Sequence, residues 1–556
     1  MPRMRRVSRI WPLVVLVALT VALPARPRAM DEGQVRPGPP SSTAAGVRFL
    51  EQATFGPTPA LIDYVAQVGY EQFLTEQFNA PMSSYPTLPL YPTTRDTVAC
   101  PNGSTCQRDN YTMYPLQNRF FVNALYGGDQ LRQRVAFALH QMLVVSGVDV
   151  TQPSWMAPYL QLLDRNAFGN YRQLLLELTL NPAMGRYLDV NGNTRTRPNE
   201  NYAREILQLF SIGTVRLNLD GTPQIDAGGQ PIPLDAGGQP IPTYSQTTVD
   251  NFARVFTGWR LATAPAPGVP NYIDPMVVNA AQHDTGAKTL LDGATVPAGL
   301  TAQQDLEAAI DNIFNHPNVG PFVCKQLIQH LVTSNPSRGY VARVAEVFNG
   351  GGGTPRGDLR AVVDAILMDS EARADPTYFK DFGHLRHPAL YVLNVLRAFD
   401  ARSADGATES DGYLNPQITP MGMDLFRPAS VFSYFSPAGA APGTGGLRGP
   451  EFGLMSTSTA LRRANFVNTM VFSRIATSAN APAGTSIDLS PLQPLSASPD
   501  ALVDALNERL LHRTMSPEAN ASIVRAVGAV AATNTLKRVR TAVYLVLTSS
   551  QYQVER

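Results

Sequence analysis

A chain of 556 residues is long enough for several domains or for one large helical body with insertions. Apolar residues make up 44% and charged residues 16%, the latter below the ~25% usual for globular proteins, so the chain is neither disordered nor a polyelectrolyte. Lys and Arg total 45 against 44 Asp and Glu, with no long basic run in the body of the chain, which sets nucleic acid aside as a partner.

The first element is an arginine-rich start followed by an apolar run over residues 10–23, broken by Pro12 and Pro24. The run is short for a membrane span and has the layout of a signal peptide over residues 1–29, so export to the periplasm or beyond is expected; an uncleaved N-terminal anchor is the alternative. Residues 30–43 are rich in Pro, Gly and Ser without periodicity and read as a linker. From residue 44 to 556 helical periodicity dominates, in segments such as "LIDYVAQVGYEQFLTEQF", "LRQRVAFALHQMLVVSG", "NYRQLLLELTLN" and "PALYVLNVLRAFDA". The expectation is a single, mostly α, multi-helix domain with long loops. Cys100 and Cys106 enclose a turn-forming "PNGST" and are expected to pair, two unlinked thiols being the alternative; Cys324 reads as a buried free thiol in a helix. Strand signals concentrate in a hairpin-like insertion near 215–244, which holds the tandem "DAGGQPIPL" and "DAGGQPIPT" from Asp226 and Asp235. Two copies cannot make a solenoid, so this is read as an expanded surface loop.

Chemistry concentrates in "DVNGNTRTRPNENYAREIL", from Asp189 to Leu207. Asp189, Asn191, Asn193 and Glu200 hold positions one, three, five and twelve of a calcium-loop spacing, which makes them candidate ligands for a divalent ion, calcium in particular. Against this, Thr194 stands where the loop requires glycine, and Arg195 and Arg197 bring positive charge, so the competing reading is a loop held by Asx turns that caps a helix. That helix is expected over residues 200–212, with Asn199 as N-cap and Gly213 beyond its C-terminus. Glu200 and Arg204 can pair four residues apart. Glu205 lies between Leu209 and Ile212 on the wheel, and a carboxylate at the edge of an apolar face is a candidate general base or ligand.

His140 falls among Ala136, Phe137, Leu143 and Val144 and reads first as a core histidine. His283, beside Asp284 in "HDTGAKTLL", lies in a loop with Lys288 and is the stronger candidate for chemistry. No Gly-x-Ser-x-Gly elbow, His-Glu-x-x-His helix, haem attachment motif or Gly-x-Gly-x-x-Gly loop is present, and "TGAKT" misses the P-loop at Ala287.

Seven collinear stretches, among them "RFLEQATFGPT", "PNENYAREILQLFSIG", "FTGW", "HDTGAKTLL" and "FRPASVFSYFSP", resemble the bacterial family catalogued as domain of unknown function 1800, from about residue 44 to the C-terminus. The resemblance implies an exported, α-rich protein, often encoded beside another exported protein with a sulfatase-like fold, and it brings no activity. Its motifs fall on Asn199, Glu200, Asn201, Tyr202, Arg204, Glu205, His283, Asp284 and Lys288. Two readings follow. In the first the chain is a hydrolase or metal-assisted enzyme on an extracellular substrate, with Glu205 as base or ligand, His283 and Asp284 as acid or orienting pair, and Arg204 or Lys288 holding an anion. In the second it is a non-catalytic envelope or binding protein, or an accessory to the sulfatase-like neighbour.

Overall fold

The computed structural model describes residues 42–225, 243–375 and 381–556. The expected signal segment and nearly all of the linker lie outside the described residues, as does the tandem repeat up to residue 242. What is described is mostly α-helical, as the periodicity requires.

Most helices start at a short polar side chain that satisfies a free backbone N–H. Ser42 Oγ accepts from the N–H of Ala45 and opens Thr43–Ala53, one residue inside the expected linker. Thr301 and Gln304 form a reciprocal capping box at the head of Ala302–Phe314, and Ser456 and Thr459 do the same for Thr457–Phe472. The stretch read as one helix from "LIDYVAQVGYEQFLTEQF" spans Pro59–Asn79 but is broken at Gly69, whose φ of 80° only glycine adopts cheaply.

The interior is one continuous apolar core in which Phe55, Phe120 and Phe137 interlock edge-on or tilted and Phe49 packs edge-on against Phe73. Cys324 is buried in it. Strands among the described residues are three antiparallel pairs of two residues: Trp259–Arg260 with Val277–Val278, Lys288–Thr289 with Thr295–Val296, and His384–Leu385 with Val554–Glu555. The expected insertion shows its stem, where Leu217 bridges Pro223 and the N–H of Gln224 donates to the Arg216 carbonyl. Cys100 and Cys106 are disulfide-bonded, with their Cα atoms 5.5 Å apart. Among the described residues no helix is long and apolar enough to cross a membrane.

Candidate functional site

The loop that follows Tyr187 is a bracket built from amides. Asp189 adopts a φ of 62°, and its Oδ2 accepts from Asn201 Nδ2 at 2.6 Å and Asn199 Nδ2 at 3.4 Å. Asn191 Oδ1 accepts from the N–H of Leu261, while Asn193 accepts from the N–H of Asn199 and donates to the Ala253 and Phe256 carbonyls. Glu200 Oε2 meets Gln246 Nε2 at 2.7 Å and Arg204 at 3.0 Å. The four oxygens of the calcium spacing thus turn to different donors, whereas a cation needs them to converge. Among the described residues no group of three or more His, Cys, Asp or Glu is arranged to hold a metal ion.

The helix that leaves this loop is shorter than its periodicity implies. It spans Asn201–Gln208, with Glu200 rather than Asn199 at the capping position. Asn199 Oδ1 does accept a backbone bond, from the N–H of Asn201. At the other end the N–H groups of Phe210 and Ile212 reach back five residues, to Glu205 and Leu207, and Gly213 closes the turn at a φ of 69°. An apolar pattern extends through such a turn without a break, which is why periodicity overran it.

Glu205 is half-buried, and its Oε2 is enclosed without a hydrogen-bond partner. Burial raises its pKa, opposed by Arg204, whose guanidinium turns to Glu200 and Gln246. The nearby Tyr187 and Tyr244 hydroxyls are pushed to about 12, chiefly by burial, with Glu205 adding to the effect in each.

His283 belongs to a separate assembly. Its Nδ1 faces the Thr257 carbonyl at 3.0 Å, its Nε2 faces Asp305 Oδ2 at 3.0 Å, and Gly258, at a φ of +85°, lets the backbone pass where a Cβ would stand 2.9 Å from that of His283. Lys288 Nζ donates to the same Asp305 oxygen at 2.5 Å and to the carbonyls of Asp284 and Gly286. Asp284 forms a two-pronged pair with Arg254 at 2.8 and 3.0 Å, and those hydrogen bonds hold its carboxyl below the usual range. His283, Asp284 and Lys288 therefore do come together, with Lys288 holding the Asp284 carbonyl and Asp305, in "QQDLEAAI", joining His283 to Lys288. No hydrogen bond or ion pair among the described residues links Glu205 to this group.

His140 is a core residue, with Nδ1 3.2 Å from the Tyr159 hydroxyl and a pKa pushed down to about 3 by burial.

A larger buried polar centre lies elsewhere. His384 stands between Glu451 at 3.8 Å and Glu555 at 3.5 Å; burial opposes its protonation, but the two carboxylates prevail and raise its pKa. Two residues on, Arg386 pairs with Glu51 at 2.7 Å, and Asn394 and His512 Nε2 reach the same carboxylate at 3.0 and 2.9 Å. The signal was present in "GHLRHP", three ionisable residues in four positions ahead of an apolar helix.

One opening of ligand size lies between Pro153–Asn166 and Tyr171–Leu180, with a volume of about 340 Å³. Leu162, Leu176 and Leu180 line its apolar part, Ser154 lines it as well, and Arg165 and Glu177 pair at 3.1 Å within its lining. Glu205, His283, Asp284 and Lys288 are not among its lining residues.

No curated protein and no solved structure matches the chain. A family described as "Protein of unknown function (DUF1800)" matches residues 48–554, nearly the whole length, and the chain belongs to that family.

Proposed function

We propose that this chain is an exported envelope protein that holds a small molecule in the cleft between Pro153–Asn166 and Tyr171–Leu180 without transforming it. The observation that carries this reading is the contrast between that opening and the ionisable groups. The cleft of about 340 Å³ is lined by apolar and uncharged polar residues with a self-neutralised Arg165–Glu177 pair, whereas His283, Lys288 and Asp305 are buried and committed to one another. A general acid or base must reach its substrate, and these groups face protein. Export rests on the N-terminal layout, and the Cys100–Cys106 disulfide supports an oxidising compartment.

The test is to express the full chain with its own N-terminus, determine the N-terminal sequence of the protein recovered outside the cytoplasm, and compare it with Ala157→Trp by native mass spectrometry. The parent is expected to start near residue 30 and to carry a co-purifying small molecule that the cleft-filling variant lacks. Cytoplasmic retention with an intact N-terminus refutes export, and an identical ligand content in both proteins refutes the cleft.

A second reading is favoured by one observation, the raised pKa and partnerless Oε2 of Glu205 beside two phenols. A carboxyl whose pKa is raised by burial is suited to proton transfer. An activity found by substrate profiling and lost in Glu205→Gln would establish it. The resemblance also supports an accessory role beside a sulfatase-like exported protein, tested by co-purification of the two.

A further inference from the structure

Residues Ser154 and Pro158 give the cleft a more specific chemistry. Pro158 lies inside the helix Pro153–Asn166, four residues after Ser154. Proline has no N–H, so the hydrogen bond that would satisfy the Ser154 carbonyl in an uninterrupted helix cannot form. The Ser154 side chain is also unsatisfied: the residue is 2% exposed, and its Oγ has no hydrogen-bond partner. Ser154, Ala157 and Pro158 all line the cleft. A buried hydroxyl without a partner is costly unless something supplies the missing bond, and the neighbouring carbonyl has lost its usual helical donor.

The rest of the lining says what that something carries. The cation and anion in the lining, Arg165 and Glu177, lie 3.1 Å apart and neutralise each other, and Asn166 and Gln173 also donate to Glu177. The lining therefore has no unpaired charge to attract an ionic ligand. Leu162, Leu176, Leu180 and Ile273 offer apolar surface. Resting on the cleft reading above, we infer that Ser154 and Pro158 form the polar end of a site for an uncharged molecule with an apolar body and one amide or hydroxyl head. The head exchanges a hydrogen bond with Ser154 Oγ and donates to the Ser154 carbonyl, which Pro158 deprives of its usual helical partner, while the body lies along the leucines.

The test uses the full folded chain, stripped of co-purified material, and four probes followed by ligand-observed NMR: hexanamide, N,N-dimethylhexanamide, hexanoate and hexylammonium. Hexanamide is expected to bind, with each of the other three at least about fivefold weaker, the factor that one neutral hydrogen bond confers. Pro158→Ala restores the missing N–H, so it is expected to raise the melting temperature while weakening hexanamide about fivefold. A merely structural proline would show the first effect without the second. Ser154→Ala, close in size to the parent, is expected to weaken hexanamide to a similar extent.

Equal binding of all four probes, abolished by Ala157→Trp, overturns the head-group assignment and leaves the cleft standing. Hexanamide affinity unaltered in both Pro158→Ala and Ser154→Ala also overturns it. Binding that survives Ala157→Trp, or no binding of any probe, overturns the cleft reading and this inference with it.

Discussion

Replacing Glu51 by Gln keeps the side chain's shape and removes its charge, leaving Arg386 buried without a counter-ion. Burial alone would raise the Glu51 pKa, but Arg386 and His512, helped by Asn394, hold it at about 2. Lowering a carboxyl from 4.5 to about 2 corresponds to about 3 kcal/mol. Breaking one side of a buried pair typically costs about 3–5 kcal/mol, so the two routes agree. Unfolding a body of about 500 residues carries an entropy on the order of 1 kcal/mol/K, so Glu51→Gln is expected to lower the melting temperature at pH 7 by about 3–5 °C. The pH dependence carries a second signature. Because the folded pKa is depressed, the contribution is present above about 4.5 and is lost as pH falls toward 2. Differential scanning calorimetry between pH 7 and pH 3 should show the parent and variant curves converging on acidification. Replacing both partners by apolar residues, Glu51→Leu with Arg386→Met, should recover part of the loss, since an apolar pair leaves no orphaned charge. Melting temperatures at pH 7 that agree within 1 °C, or curves that stay parallel into acid, would refute the assignment of the pair as a stabilising contact.

Three further outcomes are expected. Non-reducing peptide mapping of material from an oxidising compartment should recover the Cys100–Cys106 link, and Cys100→Ser with Cys106→Ser should cost about 2 kcal/mol in denaturant unfolding, as loop-closure entropy for so short a ring implies. Gly258→Ala meets both a φ of +85° and the His283 Cβ at 2.9 Å, so it should destabilise by about 2 kcal/mol and shift the His283 ring resonances in NMR spectra. Burial raises the Glu205 pKa, so its contribution is full below the unfolded value and is lost as pH rises through the folded one. Glu205→Gln should accordingly gain melting temperature relative to the parent between pH 4 and pH 7; a constant offset would show that the carboxyl is not perturbed.

The helical class was legible because an amphipathic stripe repeats along each segment and needs no knowledge of its partner. Cys100 and Cys106 were legible for a related reason, their loop being short enough for local turn chemistry to bring them together. Helix ends were less so: a turn closed by bonds to the fifth residue back continues the apolar pattern, and the Asn201–Gln208 helix was overestimated at both ends. Sites formed by distant segments were least legible. Asp305 looks like any acidic residue in a helix until the fold sets it against His283 and Lys288. Glu51 gives no hint that its counter-ion stands 335 positions away. The spacing of Asp189, Asn191, Asn193 and Glu200 matched an ion loop because amide brackets and cation loops use the same short oxygen-bearing side chains, and only the donors facing them separate the two.

The pairing of Glu51 with Arg386 also bears on the order in which the protein takes shape. Arg386 bridges Glu51 to the backbone of Tyr552 and Val554, and the Tyr552 hydroxyl donates to Asn394, so early and late segments share one buried knot. At a synthesis rate of about 5–20 residues per second, Glu51 would wait roughly 20 to 70 s before Arg386 exists to receive it. Throughout that interval, closing the core around the first helix would seal in a lone carboxylate. The knot is therefore complete only once residues 552–554 have been made.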